Sequence, residues 1–151
     1  MPELLAITDI TEKDGHEILR LYTEAGWWPE ETSLEALEKL IRGSYLFLVV
    51  LEDVEIIGMG RVISDGVSDA YIQDVTVRKD FRGKGLGALI IKDLCKRLFS
   101  DGINWVGLIA EKGSHPFYEN LDFVQMPGSI PMLHKKTYQI MGFDKPSGEN
   151  K

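Results

Sequence analysis

The sequence predicts an α/β fold: a mixed, mostly antiparallel sheet flanked by helices. Three patterns carry that expectation. Strand-length apolar runs at residues 45–51 and 54–63 are joined by Glu52-Asp53 and read as a hairpin. Three longer stretches repeat apolar side chains at helical spacing. A strand at 69–77 passes through a glycine-rich loop into a helix and then a strand at 105–110, a crossover that makes those two strands parallel.

Taken in order, residues 4–8 form a short first strand. Thr11-Glu12-Lys13-Asp14 starts a helix whose buried positions are Ile18, Leu19, Tyr22 and Ala25, and Gly26 stops it. Thr32-Ser33-Leu34-Glu35 reads as a capping box for a second helix, with Leu34, Leu37, Leu40 and Ile41 as its stripe and Gly43 at its end. After the hairpin, Ser64-Asp65-Gly66 turns the chain into the strand at 69–77. Leu86, Leu89, Ile90, Leu94 and Leu98 line one face of a third helix, opposite Lys92, Asp93, Lys96 and Arg97. Ser114 is placed to cap a short helix through Asn120. Residues 123–125 and 132–141 are expected as two last strands, separated by Pro127-Gly128.

The chain has 151 residues, enough for one domain with its own core, expected over 1–143 with a polar tail at 144–151. At 44% hydrophobic and 27% charged it is too apolar for global disorder. No run approaches the roughly 20 apolar residues of a membrane span, and Met1-Pro2-Glu3 lacks a basic secretory start, so the expectation is a cytoplasmic protein. The net charge of −7 argues against nucleic-acid or membrane partners. One cysteine and three scattered histidines (His16, His115 and His134) supply no metal cluster.

The chemistry concentrates after the strand Val75-Thr76-Val77, in Arg78-Lys79-Asp80-Phe81-Arg82-Gly83-Lys84-Gly85-Leu86-Gly87. Alternate glycines let backbone N–H groups approach a ligand, and a helix N-terminus adds unpaired donors and partial positive charge. Arg78, Lys79, Arg82 and Lys84 gather here in an otherwise acidic chain, which points to a diphosphate. A Walker loop would need Lys-Ser or Lys-Thr after the glycines, and none follows. Gly83-x-Gly85-x-x-Ala88 formally satisfies a dinucleotide fingerprint, but Arg78 to Arg82 separate it from its strand and no further βαβ units follow.

Arg82-x-x-Gly85-x-Gly87 after Val75-Thr76-Val77 resembles the acetyl-CoA signature of the GNAT acetyltransferases, [QR]-x-x-G-x-[GA]. Phe117-Tyr118-Glu119-Asn120-Leu121-Asp122-Phe123 resembles that family's F-Y-x-x-x-G-F segment, with Asp122 where glycine is usual, and the likeness spans nearly the whole chain. The resemblance implies a parallel strand pair splayed at the centre of the sheet, with the pantetheine arm of acetyl-CoA along Val75 and Val77. It implies further that Thr76, Arg82, Gly83, Lys84, Gly85, Leu86 and Gly87 complete the cofactor-binding set. The implied reaction is direct transfer of acetyl to an amine, without a metal. Tyr118 would be the acid for the departing thiolate, and the N–H of Val75, at a strand bulge, the oxyanion donor.

The base stays open. Tyr71 stands where some members carry glutamate; Asp69 or Glu24 through water are alternatives, and strand alternation sets Asp74 opposite Tyr71 and Gln73. Cys95 reads as core, His16 as solvated, His115 as near Tyr118, and His134 as isolated on the last strand pair. Trp27-Trp28-Pro29 reads first as packing, and through the resemblance as an aromatic wall for the acceptor, with Glu24, Glu30 or Glu31 beside it. The stretch 70–75 and Phe117-Tyr118 also resemble the branch that includes plant-type arylalkylamine acetyltransferases. The acceptor is thus a small-molecule or peptide amine, and a homodimer is the family-level expectation. The rival readings are a non-catalytic acyl-CoA sensor or partner module, and a nicotinamide or flavin protein.

Overall fold

The computed structural model describes residues 2–143, so the tail expected at 144–151 lies outside the described residues. The chain divides into two compact units, Met1–Leu108 and Ile109–Lys151.

The first unit runs β1 (Glu3–Ala6), α1 (Glu12–Glu24), α2 (Leu34–Gly43), β2 (Leu46–Glu52), β3 (Glu55–Ser64), β4 (Asp69–Val77), α3 (Leu86–Ser100) and β5 (Trp105–Gly107). Thr11 caps α1. Its hydroxyl accepts the Asp14 N–H while the Asp14 carboxylate accepts the Thr11 N–H, so the orphan donors of the first turn are satisfied reciprocally. At α2 the cap is Ser33 rather than Thr32: its Oγ accepts the Ala36 N–H at 3.1 Å, and the Thr32 hydroxyl donates instead to the Pro29 carbonyl. Moving the cap by one residue puts Ala36 third in the helix, and alanine has no carboxylate to return the bond. The expected box is therefore a simple cap.

The sheet is mixed, in the order β1-β2-β3-β4-β5, antiparallel through β4 and parallel between β4 and β5. Residues 47–50 are buried on both sides because helices cover both faces. On one face Ile18, Leu21 and Tyr22 of α1 and Leu37 and Ile41 of α2 pack on Phe47, Val49 and Met59. On the other face Ile90 and Leu94 of α3 lie against Gly58 and Gly60. Strand alternation separates the two sets, with Met59 pointing one way and its glycine neighbours the other.

β5 stops at Gly107, short of the expected 105–110, and it is the last strand of the described sheet. The second unit holds two short helices, α4 (His115–Glu119) and α5 (Lys135–Met141). The strands expected at 123–125 and 132–141 do not form: the first stretch is irregular, and most of the second is α5. Lys135-Lys136-Thr137-Tyr138-Gln139-Ile140-Met141 has no period-two alternation and few β-branched residues, so the flanking cues decide. The His134 ring accepts the Lys136 N–H at 3.0 Å as an N-cap, and Gly142, at φ 67°, closes the helix in the left-handed conformation. His134 is thus a helix cap and not a strand residue. None of the described residues from 109 onward is fully buried.

Candidate functional site

The site begins with an irregularity in β4. Thr76 pairs with Met59 and Gln73 with Arg61, so Asp74 and Val75 together face the single residue Gly60. This is a β-bulge, and Asp74 takes the left-handed conformation it requires, at φ 55°. The extra residue breaks the alternation on which the sequence reading relied. Arg61 donates through Nη2 to Gln73 and through Nε to Asp74, so those two side chains share a face instead of lying on opposite ones. The hydroxyl of buried Tyr22 donates to the same Asp74 oxygen at 2.8 Å. Burial first, and the Asp74 carboxylate second, hold the Tyr22 phenol far above its ordinary range.

Past the bulge the strand offers a free edge. β5 pairs only with Asp69, Ala70 and Tyr71, which leaves that side of residues 72–77 without a strand partner among the described residues. Pairing that ends while β4 continues is how two parallel strands open a wedge. Val75 and Val77 lie along it. The Val77 carbonyl is already occupied by Arg82 Nε at 2.7 Å, which fixes the end of the strand.

Next comes a 3-10 turn, Lys79–Phe81, whose first N–H, that of Lys79, donates to the Glu24 carboxylate at 2.6 Å. Gly83 and Gly85 both sit at φ 80°, and a Cβ at either would meet nothing within 4 Å, so space in front of the loop is open. Gly85 caps α3 without a side-chain acceptor, and the first bond of the helix runs from the Leu89 N–H to the Gly85 carbonyl. The N–H groups of residues 83–88 have no protein acceptor among the described residues. A file of free donors at the mouth of a 15-residue helix suits a diphosphate.

The four basic residues of the loop divide in role. Arg78 is spent within the protein, bonded to Asp80 at 2.7 Å and Glu55 at 2.9 Å, and its guanidinium lies over the Phe81 ring. It holds the Asp80 carboxyl below its usual range. Arg82 braces the Val77 carbonyl, and Lys84 extends over Phe81 from an exposed position. Lys79 is exposed as well.

Tyr118 belongs to the second unit, in α4, edge-on to Phe117 and Phe123 at centroid distances of 5.0 and 6.0 Å. Burial, then the charge of Glu111, raise its phenol above the ordinary value, so it stays protonated at neutral pH. The Tyr118 carbonyl accepts the N–H groups of both Leu121 and Phe123. The turn that makes this double bond has Asp122 at φ 69°, so aspartate supports the left-handed turn where glycine is usual. Ser114 precedes α4 but makes no side-chain cap, and His115 opens the helix.

Tyr71 is half exposed and its ring lies 5.1 Å from Trp105. The Trp105 ring folds over Gly107, where a Cβ would come within 2.7 Å of it, so that glycine makes room for the aromatic pair at the point where pairing ends. Trp28 stacks on Tyr22 at 3.7 Å and is packing, whereas Trp27 stays partly exposed. Glu24 is engaged by the Lys79 N–H. His16 is solvated beside Glu12, and burial raises the Cys95 thiol, a poor state for a nucleophile. Sequence reasoning missed Arg61 and the cluster it forms with Tyr22 and Asp74. The one available signal was an arginine and a glycine inside an apolar strand.

A free-edged strand, a bulge and a donor-lined loop on a helix N-terminus together suit an anionic, extended ligand. Comparison with known proteins agrees: the profile of the acetyltransferase (GNAT) domain matches residues 12–131. The chain belongs to the GNAT acetyltransferase family. It is 29% identical over 117 residues to an uncharacterized N-acetyltransferase, ycf52, of Gracilaria tenuistipitata var. liui, a match that covers 76% of this chain and 64% of that one. A chloroplastic serotonin N-acetyltransferase 2 of Oryza sativa subsp. japonica is 32% identical over 74 residues, 49% of this chain and 37% of the relative. Among solved structures, a probable acetyltransferase from Staphylococcus aureus superposes with a TM-score of 0.73 at 27% identity, covering 89% of this chain and 99% of that one.

Proposed function

We propose that the protein is an acetyl-CoA-dependent N-acetyltransferase that transfers acetyl directly to a primary amine of a small molecule or peptide, without a metal. The observation that carries this reading is the run of N–H groups at residues 83–88 with no acceptor among the described residues, opening α3 beside the free edge of β4. Gly83, Lys84, Gly85, Leu86 and Gly87 hold the diphosphate mainly through the backbone, and the exposed Lys84 adds charge. Val75, Thr76 and Val77 align the pantetheine arm, and Arg82 fixes the exit of the strand by gripping Val77.

The amine nitrogen attacks the thioester carbonyl, the carbon–sulfur bond breaks, and the nitrogen gives up its proton to water. The Val75 N–H at the bulge donates to the oxygen that gains charge. Tyr118, protonated at neutral pH, donates to the departing sulfur. Its phenol lies above the ordinary thiol value of about 8.5, so it stabilises the departing thiolate by a hydrogen bond, and when its proton crosses to sulfur the proton that the amine gave to water restores the phenol. The half-exposed aromatic pair Tyr71 and Trp105 favours an arylalkylamine acceptor, in keeping with the rice relative's named substrate. A homodimer remains the proposed assembly. The cytoplasm is the proposed compartment, beside the chloroplast that the rice relative's name records; no helix among the described residues is long and apolar enough to cross a membrane.

Calorimetric titration of acetyl-CoA, CoA and NAD into the purified protein tests the reading. Both CoA species should bind with one-to-one stoichiometry and NAD should not. NAD binding alone, or binding of none of the three, overturns it. The second reading, a non-catalytic acyl-CoA sensor, draws on Tyr71 standing where a glutamate base would be. Release of free thiol that depends on an added arylalkylamine, such as tryptamine, decides for the enzyme.

A further inference from the structure

The last turn of α1 reaches the strand and loop just described at two points. Tyr22 donates its hydroxyl to Asp74 at 2.8 Å, at the bulge, and Glu24 accepts the Lys79 N–H at 2.6 Å, at the start of the phosphate-facing loop. Between those grips lie Val75, Thr76 and Val77. Two residues apart on a helix, Tyr22 and Glu24 point in different directions, so they brace the segment from separate sides. The same turn anchors the tryptophan loop: the N–H groups of Trp27 and Trp28 both donate to the Tyr22 carbonyl, and the Trp28 ring stacks on Tyr22 with the planes 7° apart.

We propose that Tyr22 and Glu24 are positioning residues that clamp β4 and its loop in the conformation that binds CoA. This deepens the acetyl-CoA reading and rests on it. Two observations distinguish a clamp from a polar cluster that merely satisfies itself. Asp74 is held in a left-handed conformation that a non-glycine residue adopts at a cost, and such a conformation persists only where its surroundings over-determine it. Here the surroundings are Tyr22 and Arg61. The second observation is that Glu24 sets a carboxylate against the first N–H of an anion-binding loop. By charge alone Glu24 opposes an anionic ligand, so its place there is explained by where it holds Lys79.

That opposition makes the test sharp. Glu24→Ala removes both the grip and the charge, whereas Glu24→Gln removes the charge and keeps a carbonyl oxygen for the Lys79 N–H. A positioning role predicts that Glu24→Ala weakens CoA binding by about tenfold, the scale of one lost charge-assisted bond. Glu24→Gln should bind at least as tightly as wild type. If Glu24 acts only through charge, both variants tighten binding, and that result overturns the proposal. Amide exchange supplies a readout independent of the ligand: the Lys79 amide should exchange faster in Glu24→Ala and not in Glu24→Gln, with the thermal midpoint little changed because Glu24 is only half buried. Tyr22→Phe should weaken CoA binding as well, through the other grip. Faster exchange with unaltered CoA affinity in Glu24→Ala makes the contact structural only and overturns the role. Wild-type protein that does not bind CoA overturns the proposed function and the clamp together. Wild type that binds, with Glu24→Ala binding equally, overturns the clamp alone.

Discussion

Tyr22 is wholly buried and yet carries an ionisable hydroxyl, so its proton governs how the fold meets alkali. Burial and the neighbouring Asp74 keep the folded phenol protonated well past its ordinary value near 10. The unfolded chain gives up that proton at about pH 10, the folded chain does not, and the difference favours unfolding as pH rises. Tyr22 therefore contributes its full stabilisation below about pH 10 and loses roughly 1.4 kcal/mol per pH unit above it. Urea unfolding between pH 9 and pH 11, approximate bounds set by that ordinary phenol value, should show wild type losing stability more steeply than Tyr22→Phe. Tyr45 and Tyr118 are also raised, but they are common to both proteins, so the difference in slope isolates Tyr22. Equal slopes would mean that the folded phenol ionises normally. The sequence placed Tyr22 on the buried stripe of α1, which periodicity can show. Its hydroxyl partner lies 52 residues away, beyond the reach of any local pattern. Asp74 failed for a related reason: alternation assigns faces only while a strand keeps its register, and the bulge adds a residue there.

At the level of elements, legibility followed how local each cause was. The loop at 82–87 was readable because alternate glycines, a preceding strand and a helical pattern are all written within a few residues. The same holds for α1, α3 and the β2–β3 hairpin. The chain after residue 120 was misread because its apolar residues suggested strands, while a histidine cap and a closing glycine made Lys135–Met141 a helix. The packing of α3 on the sheet was not legible either, although its signature is a glycine within an apolar strand. A Cβ on Gly60 would come within 2.7 Å of Ile90 Cγ2, 3.1 Å of Leu94 Cδ1 and 3.2 Å of Val75 Cγ2. Gly60 has no positive φ, so the effect of a substitution is steric rather than conformational. Gly60→Ala should cost about 1–3 kcal/mol in denaturant unfolding, as overpacking does. Ile90→Ala alone should cost about 2–5 kcal/mol through its cavity. The double variant should cost clearly less than the sum, because each change relieves the other. Strict additivity would show that α3 does not press on Gly60.

For the molecule as a whole, charge sets a long-range field that the site must oppose. The net charge is −7, and the proposed cosubstrate carries several negative charges on its phosphates. At the loop, Arg78 is neutralised by Asp80 and Glu55, while Lys79 and Lys84 make no salt bridge among the described residues. Attraction is thus short in range and repulsion long, and ionic strength separates the two. The screening length is about 30 Å at 0.01 M salt and about 10 Å at 0.1 M. At the lower strength an approaching CoA feels the whole acidic molecule; at the higher one it feels chiefly the loop. The association rate measured by stopped flow should therefore rise between these two concentrations, then fall toward 1 M, where even contacts of about 3 Å are screened. A site steered by its own lysines at every range would instead slow steadily from the lowest salt upward. A maximum means that the acidic surface resists the cosubstrate until salt hides it, leaving the backbone donors of residues 83–88 to supply most of the affinity.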